Sequence, residues 1–357
     1  MIQDVMILAG GTGTRLWPAS KKSHPKQFLS IGKDTSLVRA AIDRALSLNV
    51  EGEILIITGK NHVQELIEHC KDIKKGKEKI VIIPEPEGKN TAPAIALGCE
   101  YLKAQGRSGS SVLMMPADHV ITPQERLLED VKKADSLAKA GYIVPFGIKP
   151  SHPETGFGYI HAGEKFQTGK LVKAFTEKPD EKRAEQFYKD GSYYWNSGLY
   201  AFTAEGYLAE LAAHTPEVAD AFSGLELKGK AESREGVRVL PEEGLRQAYA
   251  DTPDISIDYA VAEKSKKVAM VEVSFSWNDV GSWDEVSRIY EGEGAEVYTE
   301  NAEGNFVLSD MPVALCGVDD LIVVVKNGAV LVCKKGESQK VKGIVNQLKE
   351  KDRKELL

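Results

Sequence analysis

An α/β fold with a mixed, mostly parallel sheet, followed by a small all-β module, is the fold class that this sequence predicts. Three observations predict it. Short β-rich apolar runs alternate with helix-length amphipathic segments through the first half, a glycine-rich loop directly follows the first run, and a hairpin pattern stands near the carboxyl end. The 357 residues carry 46 Lys and Arg against 53 Asp and Glu, a net charge of −7. This composition excludes a disulfide scaffold and a disordered chain, and it argues against binding of duplex nucleic acid.

The first half of the chain supplies the predicted sheet and its helices. We expect strands in the apolar runs at 5–8, 54–58, 79–84, 111–116 and 142–148. Helical spacing covers 61–71, 91–105 and 123–140. The last helix has a start signal, because the Thr122 hydroxyl is placed to cap it and Pro123 suits the first helical position.

The pattern changes twice after residue 151. It first becomes irregular and rich in glycine and aromatic residues, with helical segments near 204–222 and 255–265, and it loosens into a linker over 291–296. Two β-branched runs then flank Asn327 and Gly328, which predicts a tight turn between strands. We therefore expect a Rossmann-like domain over 1–290 and a small β domain with a terminal helix over 291–357. One hairpin does not fix the topology of that second domain.

The amino terminus and the cysteines bear on location. No signal peptide is visible before the first glycines, and no apolar run is long enough to span a bilayer. The four cysteines, at 70, 99, 316 and 333, form no CxxC pair and have no histidine cluster beside them. We expect a cytoplasmic protein with reduced thiols and no membrane partner.

The glycine loop after the first strand has the features of an anion cradle. Gly10, Gly11 and Gly13 allow backbone N–H groups to approach phosphate oxygens closely. The loop lacks the third glycine of a dinucleotide-binding fingerprint and the Gly-Lys-Ser/Thr ending of a P-loop, which argues against both classes. Arg15 and Lys26 follow it as two cations that can converge on a polyphosphate. Loop and cations together predict a polyphosphate site.

The sequence of the segment from the glycine loop to Phe28 is specific enough to indicate a protein family. GGTGTRLWPASKKSHPKQF resembles the signature of the sugar nucleotidyltransferases, and Trp17 with HPKQF is similar to their mannose-1-phosphate guanylyltransferase branch. The resemblance continues in the same order through PEPEGKNTAPAIAL, MPADHVI, ETGFGYI, FTEKPD, YYWNSGLYAF, SIDYAVAEKS and WNDVGSWDEV, so it covers nearly the whole chain. It implies a GT-A-like nucleotidyltransferase domain, a short β-helix at the carboxyl end, Mg²⁺ as cofactor and a homodimer.

The resemblance also implies an activity. The reaction is transfer of a guanylyl group from GTP to α-D-mannose 1-phosphate, giving GDP-mannose and diphosphate by Mg²⁺-assisted in-line attack on the α-phosphate. A phosphate monoester is largely dianionic at pH 7, so the nucleophile needs no general base. Two alternatives stay open: another pair such as UTP or dTTP with glucose 1-phosphate, and a non-catalytic sensor of nucleotide sugars.

The candidate residues for the nucleotide and the metal lie in these motifs. Asp118 follows a central strand, where open α/β sheets bind ligands, although a turn or helix cap would also explain it. The resemblance implies that Asp118 and Asp279 bind Mg²⁺, and that Arg15, Lys26, Asp118 and Asp279 are catalytic. It implies nucleotide contacts from Ala9, Gly10, Gly11, Gly13, Thr14, Arg15, Lys26, Asn90, Thr91 and Asp118. For Asn90 and Thr91, capping of the following helix is a sufficient explanation too.

The sugar phosphate has its own candidates. Glu177 and Lys178 are adjacent where a strand ends before Pro179, and an exposed ion pair would explain them without a ligand. The resemblance implies that Glu177 binds sugar hydroxyls, that Lys178 binds the sugar phosphate, and that Gly158 and Asn196 contact the hexose. Alignment of two anions and neutralisation of their charge are the expected means of catalysis.

Overall fold

The computed structural model describes residues 1–11, 13–31, 35–290 and 295–357, so most of the predicted linker at 291–296 lies outside the described residues. The strands are β1 (Asp4–Ala9), β2 (Ile54–Gly59), β3 (Ile80–Glu85), β4 (Ser111–Pro116), β5 (Val120–Thr122), β6 (Val144–Ile148), β7 (Tyr159–Phe166), β8 (Gly169–Thr176), β9 (Tyr193–Thr203), β10 (Glu232–Arg234), β11 (Val237–Val239), β12 (Ala269–Glu272), β13 (Ser276–Asn278), β14 (Val297–Glu300), β15 (Phe306–Ser309), β16 (Val313–Cys316), β17 (Leu321–Lys326) and β18 (Ala329–Lys334). The α-helices are α1 (Leu37–Ser47), α2 (Val63–His69), α3 (Thr91–Ala104), α4 (Gln124–Lys139), α5 (Glu181–Asp190), α6 (Ala204–His214), α7 (Pro216–Phe222), α8 (Leu245–Asp251), α9 (Trp283–Ile289) and α10 (Val341–Glu350).

The predicted strands of the first half, the helices α2 to α4, the hairpin and the terminal helix are confirmed. The predicted cap of α4 is wrong, because Thr122 still belongs to β5 and Pro123 takes the N-cap position without a side-chain hydrogen bond. The segment at 204–222 forms two helices rather than one, since Pro216 begins α7 directly after α6. Of the segment at 255–265, Asp258–Ala262 forms a π-helical turn.

Two compact units make up the described chain. Unit 1 contains Met1–Gly10, Ile42–Ala117 and Ile121–Trp277, and unit 2 contains Gly11–Ala41, Asp118–Val120 and Asn278–Leu357. Gly11, Gly13 and Asp118 therefore share a unit with the carboxyl-terminal strands, whereas Gly10 belongs to unit 1. The ranges 1–290 and 291–357 stay a prediction.

The sheet of unit 1 is mixed. Its strand order is β10-β11-β3-β2-β1-β4-β9-β6-β12-β8-β7. The neighbours in the series β11-β3-β2-β1-β4 pair parallel, and so do β6 and β12. The remaining neighbours pair antiparallel. The prediction of a mostly parallel sheet is therefore not confirmed, because the glycine- and aromatic-rich stretch, which has no clear sequence period, forms the long antiparallel strands β7, β8 and β9.

The parallel strands β1, β2 and β3 bring three carboxyl ends to one edge of this sheet. Ala9 pairs with Thr58, and Gly59 pairs with Glu85. The residues of these strands are almost entirely buried, which is typical of parallel strands covered on both faces and explains their continuous apolar runs. The ends of β1 and β3 are therefore near neighbours, and both carry residues of the candidate site.

The carboxyl-terminal strands of unit 2 form a short β-helix-like stack. In two parallel pairs, β14 with β16 and β15 with β17, the partners stand sixteen residues apart, as Val297 with Val313 and Phe306 with Ile322. Equal offsets of this kind define successive coils of a solenoid. The hairpin from β17 to β18 closes the stack, with Asn327 and Gly328 both at positive φ, as its tight turn requires.

The core of unit 2 joins the segment after the glycine loop to these strands. Leu16 and Trp17 are buried with Trp283, Ile322, Val324, Leu331, Val341 and Val345. The Trp283 indole donates to the Trp17 carbonyl at 2.9 Å, and the Trp17 indole donates to the Leu356 carbonyl at 2.8 Å. Truncation of such a buried aromatic side chain costs about 3–5 kcal/mol. The β module thus fixes the backbone that leads out of the loop.

Candidate active site

The glycine loop has a conformation that requires its glycines. Gly11 and Gly13 have φ of 93° and 58°, in the left-handed region. A Cβ on Gly13 would lie 2.3 Å from the Cβ of Lys26, so a side chain there would collide with the lysine. The Ser20 hydroxyl donates to the Gly13 carbonyl at 2.7 Å. Glycine at position 13 is therefore required by the close approach of the Lys26 segment.

Lys26 connects the two predicted metal ligands within unit 2. Its Nζ lies 2.7 Å from Asp118 Oδ2 and also donates to the backbone carbonyl of Asp279. Lys26 is 7% exposed, so its ammonium is withdrawn from bulk water. The structure thus brings together three of the four predicted catalytic residues, although they are far apart in sequence.

The electrostatics of Asp118 favour its charged form. Burial by itself would raise the pKa of this carboxyl, but the charges of Lys26 and His119 and the hydrogen bond from Lys26 outweigh it and hold the pKa below its ordinary value. Asp118 Oδ1 is 3.8 Å from His119 Nε2. The Asp118 carboxyl is therefore anionic at neutral pH.

The turn that carries Asp279 is strained. Val280 is fully buried and has φ of 52°, which is an outlier for a β-branched residue. Its N–H donates to Asn278 Oδ1 at 2.6 Å. A Cβ on Gly281 would lie 2.6 Å from Asp279 Oδ2. Strain of this kind costs about 1–3 kcal/mol and concentrates at functional sites. The strained turn therefore supports Asp279 as a candidate functional residue.

Asp118 and Asp279 suit a divalent cation that a substrate helps to bind. Mg²⁺ takes oxygen ligands and commonly uses one or two carboxylates together with phosphate oxygens and water. Among the described residues, no group of three or more His, Cys, Asp or Glu side chains could hold a metal. The chemistry of the donor set therefore fits Mg²⁺ bound through a nucleotide rather than an all-protein cage.

Arg15 lies in the same unit but outside the Lys26 cluster. With Thr14 and Leu16 it forms a short 3₁₀ turn, and its Nη1 donates to Gln339 Oε1 at 3.2 Å. Gln339 belongs to the carboxyl-terminal region, so this region orients the guanidinium directly.

The remaining nucleotide candidates lie in unit 1. The Ala9 carbonyl, at the end of β1, accepts from the Thr58 hydroxyl at 2.9 Å. Asn90 caps α3, because its Oδ1 accepts from the Thr91 N–H at 3.0 Å. Asn90 has φ of 68° and ψ of −167°, a region that is essentially restricted to glycine. The Thr91 hydroxyl accepts from the Ile257 N–H at 2.9 Å. The capping explanation is confirmed for Asn90, while purine contact by either residue stays a prediction.

Glu85 is a candidate that sequence reasoning missed. It is the last residue of β3 and is 7% exposed. Its Oε1 accepts from the Tyr249 hydroxyl at 2.9 Å, and its Oε2 lies 3.9 Å from the position that a Cβ on Gly10 would occupy. Burial raises the pKa of Glu85 to about 7, although the Tyr249 hydrogen bond lowers it. A lone acid at the end of an apolar strand, within the PEPEGKNTAPAIAL motif, was the available signal.

The four predicted sugar-phosphate residues come together in unit 1. The Asn196 N–H donates to the Gly158 carbonyl at 2.8 Å. A Cβ on Gly158 would lie 2.5 Å from Glu177 Oε2, so glycine is required beside that carboxylate. Lys178 has φ of 43° and pairs with Glu177 at 3.0 Å, with 62% of its side chain exposed. This exposed ammonium remains accessible to a phosphate.

The charge balance around Glu177 is unfavourable without a ligand. Burial raises the pKa of Glu177, the nearby charge of Asp258 raises it further, and Lys178 opposes both. The Glu177 N–H donates to Glu263 Oε1 at 2.9 Å. A half-buried carboxylate with a like charge beside it gains from hydroxyl donors.

A glycine loop that directly follows a buried parallel strand is typical of α/β proteins that bind nucleotides. The family model for nucleotidyl transferases matches residues 4–293, and the model for the MannoseP isomerase/GMP-like beta-helix domain matches residues 297–348. The chain therefore belongs to the nucleotidyl transferase family and groups with its mannose-1-phosphate guanylyltransferases, as its relatives show.

Those relatives cover nearly the whole chain. The mannose-1-phosphate guanylyltransferase of Klebsiella pneumoniae is 36% identical over 98% of this chain and 74% of its own length. The one from Salmonella typhimurium is 37% identical over 98% of this chain and 73% of its own length. A solved structure of a mannose-1-phosphate geranyltransferase from Thermus thermophilus is 30% identical, has a TM-score of 0.84 and covers 98% of this chain and 100% of that one. Within the described residues, no helix has the length and apolar character needed to cross a membrane.

Proposed function

We propose that this protein transfers a guanylyl group from GTP to α-D-mannose 1-phosphate and releases diphosphate and GDP-mannose. The observation that carries the proposal is the contact of Lys26 with both Asp118 and Asp279 in the unit that holds Gly11 and Gly13. The names of the relatives support the choice of guanine and mannose. A cytoplasmic location and a homodimer remain predictions.

The reaction needs alignment more than proton transfer. A phosphate oxygen of the sugar phosphate forms a bond to the α-phosphorus of GTP, and the bond from that phosphorus to the bridging oxygen of the leaving diphosphate breaks. The attacking phosphate is already largely dianionic at pH 7. Repulsion between two anions is the main obstacle, and fixed cations and N–H groups lower it.

The residues of unit 2 would neutralise the negative charge of the triphosphate. Gly11 and Gly13 offer backbone N–H groups, while Arg15 offers a planar fork of donors and Lys26 a compact charge. Asp118 and Asp279 would hold Mg²⁺, which supplies further positive charge to the α-phosphate and to the departing diphosphate when it is bound.

The residues of unit 1 provide the sugar end of the reaction. Lys178 binds the phosphate of the incoming sugar through its exposed ammonium. Glu177 accepts hydrogen bonds from sugar hydroxyls, and Gly158 and Asn196 line the hexose. The contacts among Gly158, Glu177 and Asn196 support this assignment, because they define one compact patch.

Glu85 supports guanine as the base. In its ionised form the Glu85 carboxylate only accepts hydrogen bonds, and guanine presents two adjacent donors, N1–H and the N2 amino group, on one edge. Adenine has an acceptor at N1, and uracil and thymine have one N–H between two carbonyl groups. Sites built around such polar pairing can reject the unpaired analogue by about 10⁴-fold. Glu85 Oε2 lies 3.9 Å from the position that a Cβ on Gly10 would occupy, so this preference would act at the end of β1.

A substrate panel tests the proposal. The full chain is incubated with Mg²⁺, each of four nucleoside triphosphates and each of several sugar 1-phosphates, and diphosphate release is measured. We expect GTP with mannose 1-phosphate to be the fastest pair by at least about tenfold, the discrimination of one good polar contact. A different fastest pair would replace the proposed specificity. Absence of release from every pair, with tight binding of a nucleotide sugar, would favour the sensor instead.

A further inference from the structure

Asp258 adjoins the sugar-phosphate patch and has no role in the function proposed above. It begins the π-helical turn Asp258–Ala262 within the SIDYAVAEKS motif. Its Oδ1 accepts from the Tyr200 hydroxyl at 2.7 Å and from Asn196 Nδ2 at 2.9 Å. Burial raises the pKa of Tyr200 well above its ordinary value, so this hydroxyl stays a donor to the carboxylate. The carboxylate is therefore fixed by two donors.

The Asn196 side chain is already occupied by protein partners. Its Nδ2 donates to Asp258 Oδ1 at 2.9 Å and to the Tyr200 hydroxyl at 3.0 Å. Its Oδ1 accepts from the Gly198 N–H at 3.2 Å. The two acceptors of Nδ2 are themselves 2.7 Å apart, so they lie in nearly the same direction from the amino group. The protein network therefore fixes the orientation of the Asn196 amide.

Asp258 retains acceptor capacity at its second carboxylate oxygen. Its Oδ2 accepts no hydrogen bond from the described residues, and the side chain is half-buried. Asp258 is also close enough to Glu177 to act on its charge state. Two carboxylates thus lie at the patch that Gly158 leaves open, and a ligand with several O–H donors satisfies both.

We propose that Asp258 binds a hydroxyl group of the hexose 1-phosphate through Oδ2 and that Asn196 is a positioning residue that holds this carboxylate. The inference rests on the proposed function, because it concerns the sugar of the same reaction. Tyr200 and Asn196 fix one carboxylate oxygen, which aims the other at the ligand without a cost in side-chain freedom when the sugar binds.

The first test compares steady-state kinetics of the full chain and of Asp258→Asn. Asparagine keeps the shape and the Oδ1 acceptor but replaces the second carboxylate oxygen with a donor group. We expect KM for mannose 1-phosphate to rise about tenfold to a hundredfold, as for loss of one charged hydrogen bond, with KM for GTP changed less than twofold. Asp251→Asn, an exposed acid on α8 in the same unit, is the matched control and should change neither value.

The second test separates sugar contact from a purely structural role. The same enzymes are assayed with 2-deoxy, 3-deoxy, 4-deoxy and 6-deoxy mannose 1-phosphate. We expect one of these analogues to lower kcat/KM at least tenfold in the unchanged enzyme but less than threefold in Asp258→Asn, because the contact is already absent there. If every analogue loses the same factor in both enzymes, Asp258 does not touch the sugar and the inference is wrong.

Two further controls keep these outcomes distinct. If Asp258→Asn does not fold, as judged by its thermal melting, Asp258→Glu keeps the charge, displaces the carboxylate and must show the same coupling to one analogue. Failure of the unchanged enzyme to release diphosphate with mannose 1-phosphate would contradict the proposed function. Normal release without coupling to Asp258 would contradict this inference alone.

Discussion

Lys26 Nζ lies 2.7 Å from Asp118 Oδ2 and also donates to the Asp279 carbonyl, so one buried ammonium joins both of the acids that we assign to the metal. These residues stand 92 and 253 positions from Lys26 in the chain. The lysine thus holds the Asp118 side chain and the Asp279 backbone close together before a substrate binds. Gly13 allows this arrangement, since any side chain there would collide with Lys26.

Replacement of Lys26 should therefore affect both turnover and stability. In Lys26→Met, we expect kcat to fall by about 10²-fold or more, because a fixed cation near the developing charge is lost. We also expect a loss of about 1–2 kcal/mol in the free energy of unfolding, since Asp118 loses its partner but is partly exposed and can hydrate. Diphosphate release and urea unfolding measure the two effects.

Lys22→Met is the matched control for this variant. Lys22 lies in the same segment but is exposed, so both measurements should stay close to those of the unchanged protein. Equal kcat in Lys26→Met and in the control would remove Lys26 from the catalytic residues.

Asp279 should be essential for turnover and dispensable for folding. Asp279→Asn keeps the size of the side chain and the strained turn at Val280 but weakens binding of Mg²⁺, so we expect turnover to fall by about 10²-fold or more. Circular dichroism should show an unchanged fold. Asp310→Asn, an exposed acid of the same unit, is the control. Near-normal turnover in Asp279→Asn would exclude it as an essential ligand.

The parts of the fold that were predicted correctly have strong local signals. The strands β1 to β4 are buried on both faces, so each of them is a continuous run of apolar residues in the sequence. The hairpin from β17 to β18 was predicted from Asn327 and Gly328 between two β-branched runs, because a tight turn needs positive φ at both positions.

The parts that were not predicted depend on distant contacts. The packing of Trp17 with Trp283 spans 266 residues, so no local pattern shows that the glycine loop and the carboxyl-terminal strands share a core. Glu85 is buried against Tyr249, which is 164 residues away, and an acid at the end of a strand otherwise indicates exposure. The grouping of Gly158, Glu177 and Asn196 was expected only from family resemblance.

Lys178 should act on the sugar phosphate and not on GTP. In Lys178→Ala, we expect KM for mannose 1-phosphate to rise at least about tenfold, as for loss of one charged contact, with a small change in KM for GTP. Stability should hardly change, because the Lys178 side chain is mostly exposed and its ion pair with Glu177 contributes little. Lys182→Ala, an exposed lysine on α5, is the control. If KM for the sugar phosphate is the same in both variants, Lys178 is only a surface residue.

Glu85 should make folding less favourable as the pH rises through the acidic range. Burial raises its pKa from 4.5 to about 7 in the folded protein, so the folded state binds a proton that the unfolded state releases between about pH 4.5 and 7. The free energy of unfolding therefore falls across this window and levels off above pH 7, by about 3 kcal/mol in total. In Glu85→Gln the side chain at this position does not ionise, so its contribution to the free energy of unfolding does not change with pH.

The measurement is the difference in the free energy of unfolding between Glu85→Gln and the unchanged protein, from urea unfolding at several pH values. This difference cancels the titration of other groups, and we expect the variant to gain about 3 kcal/mol relative to the unchanged protein between about pH 4.5 and 8. The same variant should lose its preference for GTP over UTP, since glutamine cannot accept both guanine donors through two equivalent oxygens. A pH-independent difference would show that Glu85 is hydrated and free to titrate normally, and an unchanged GTP preference would remove it from base recognition.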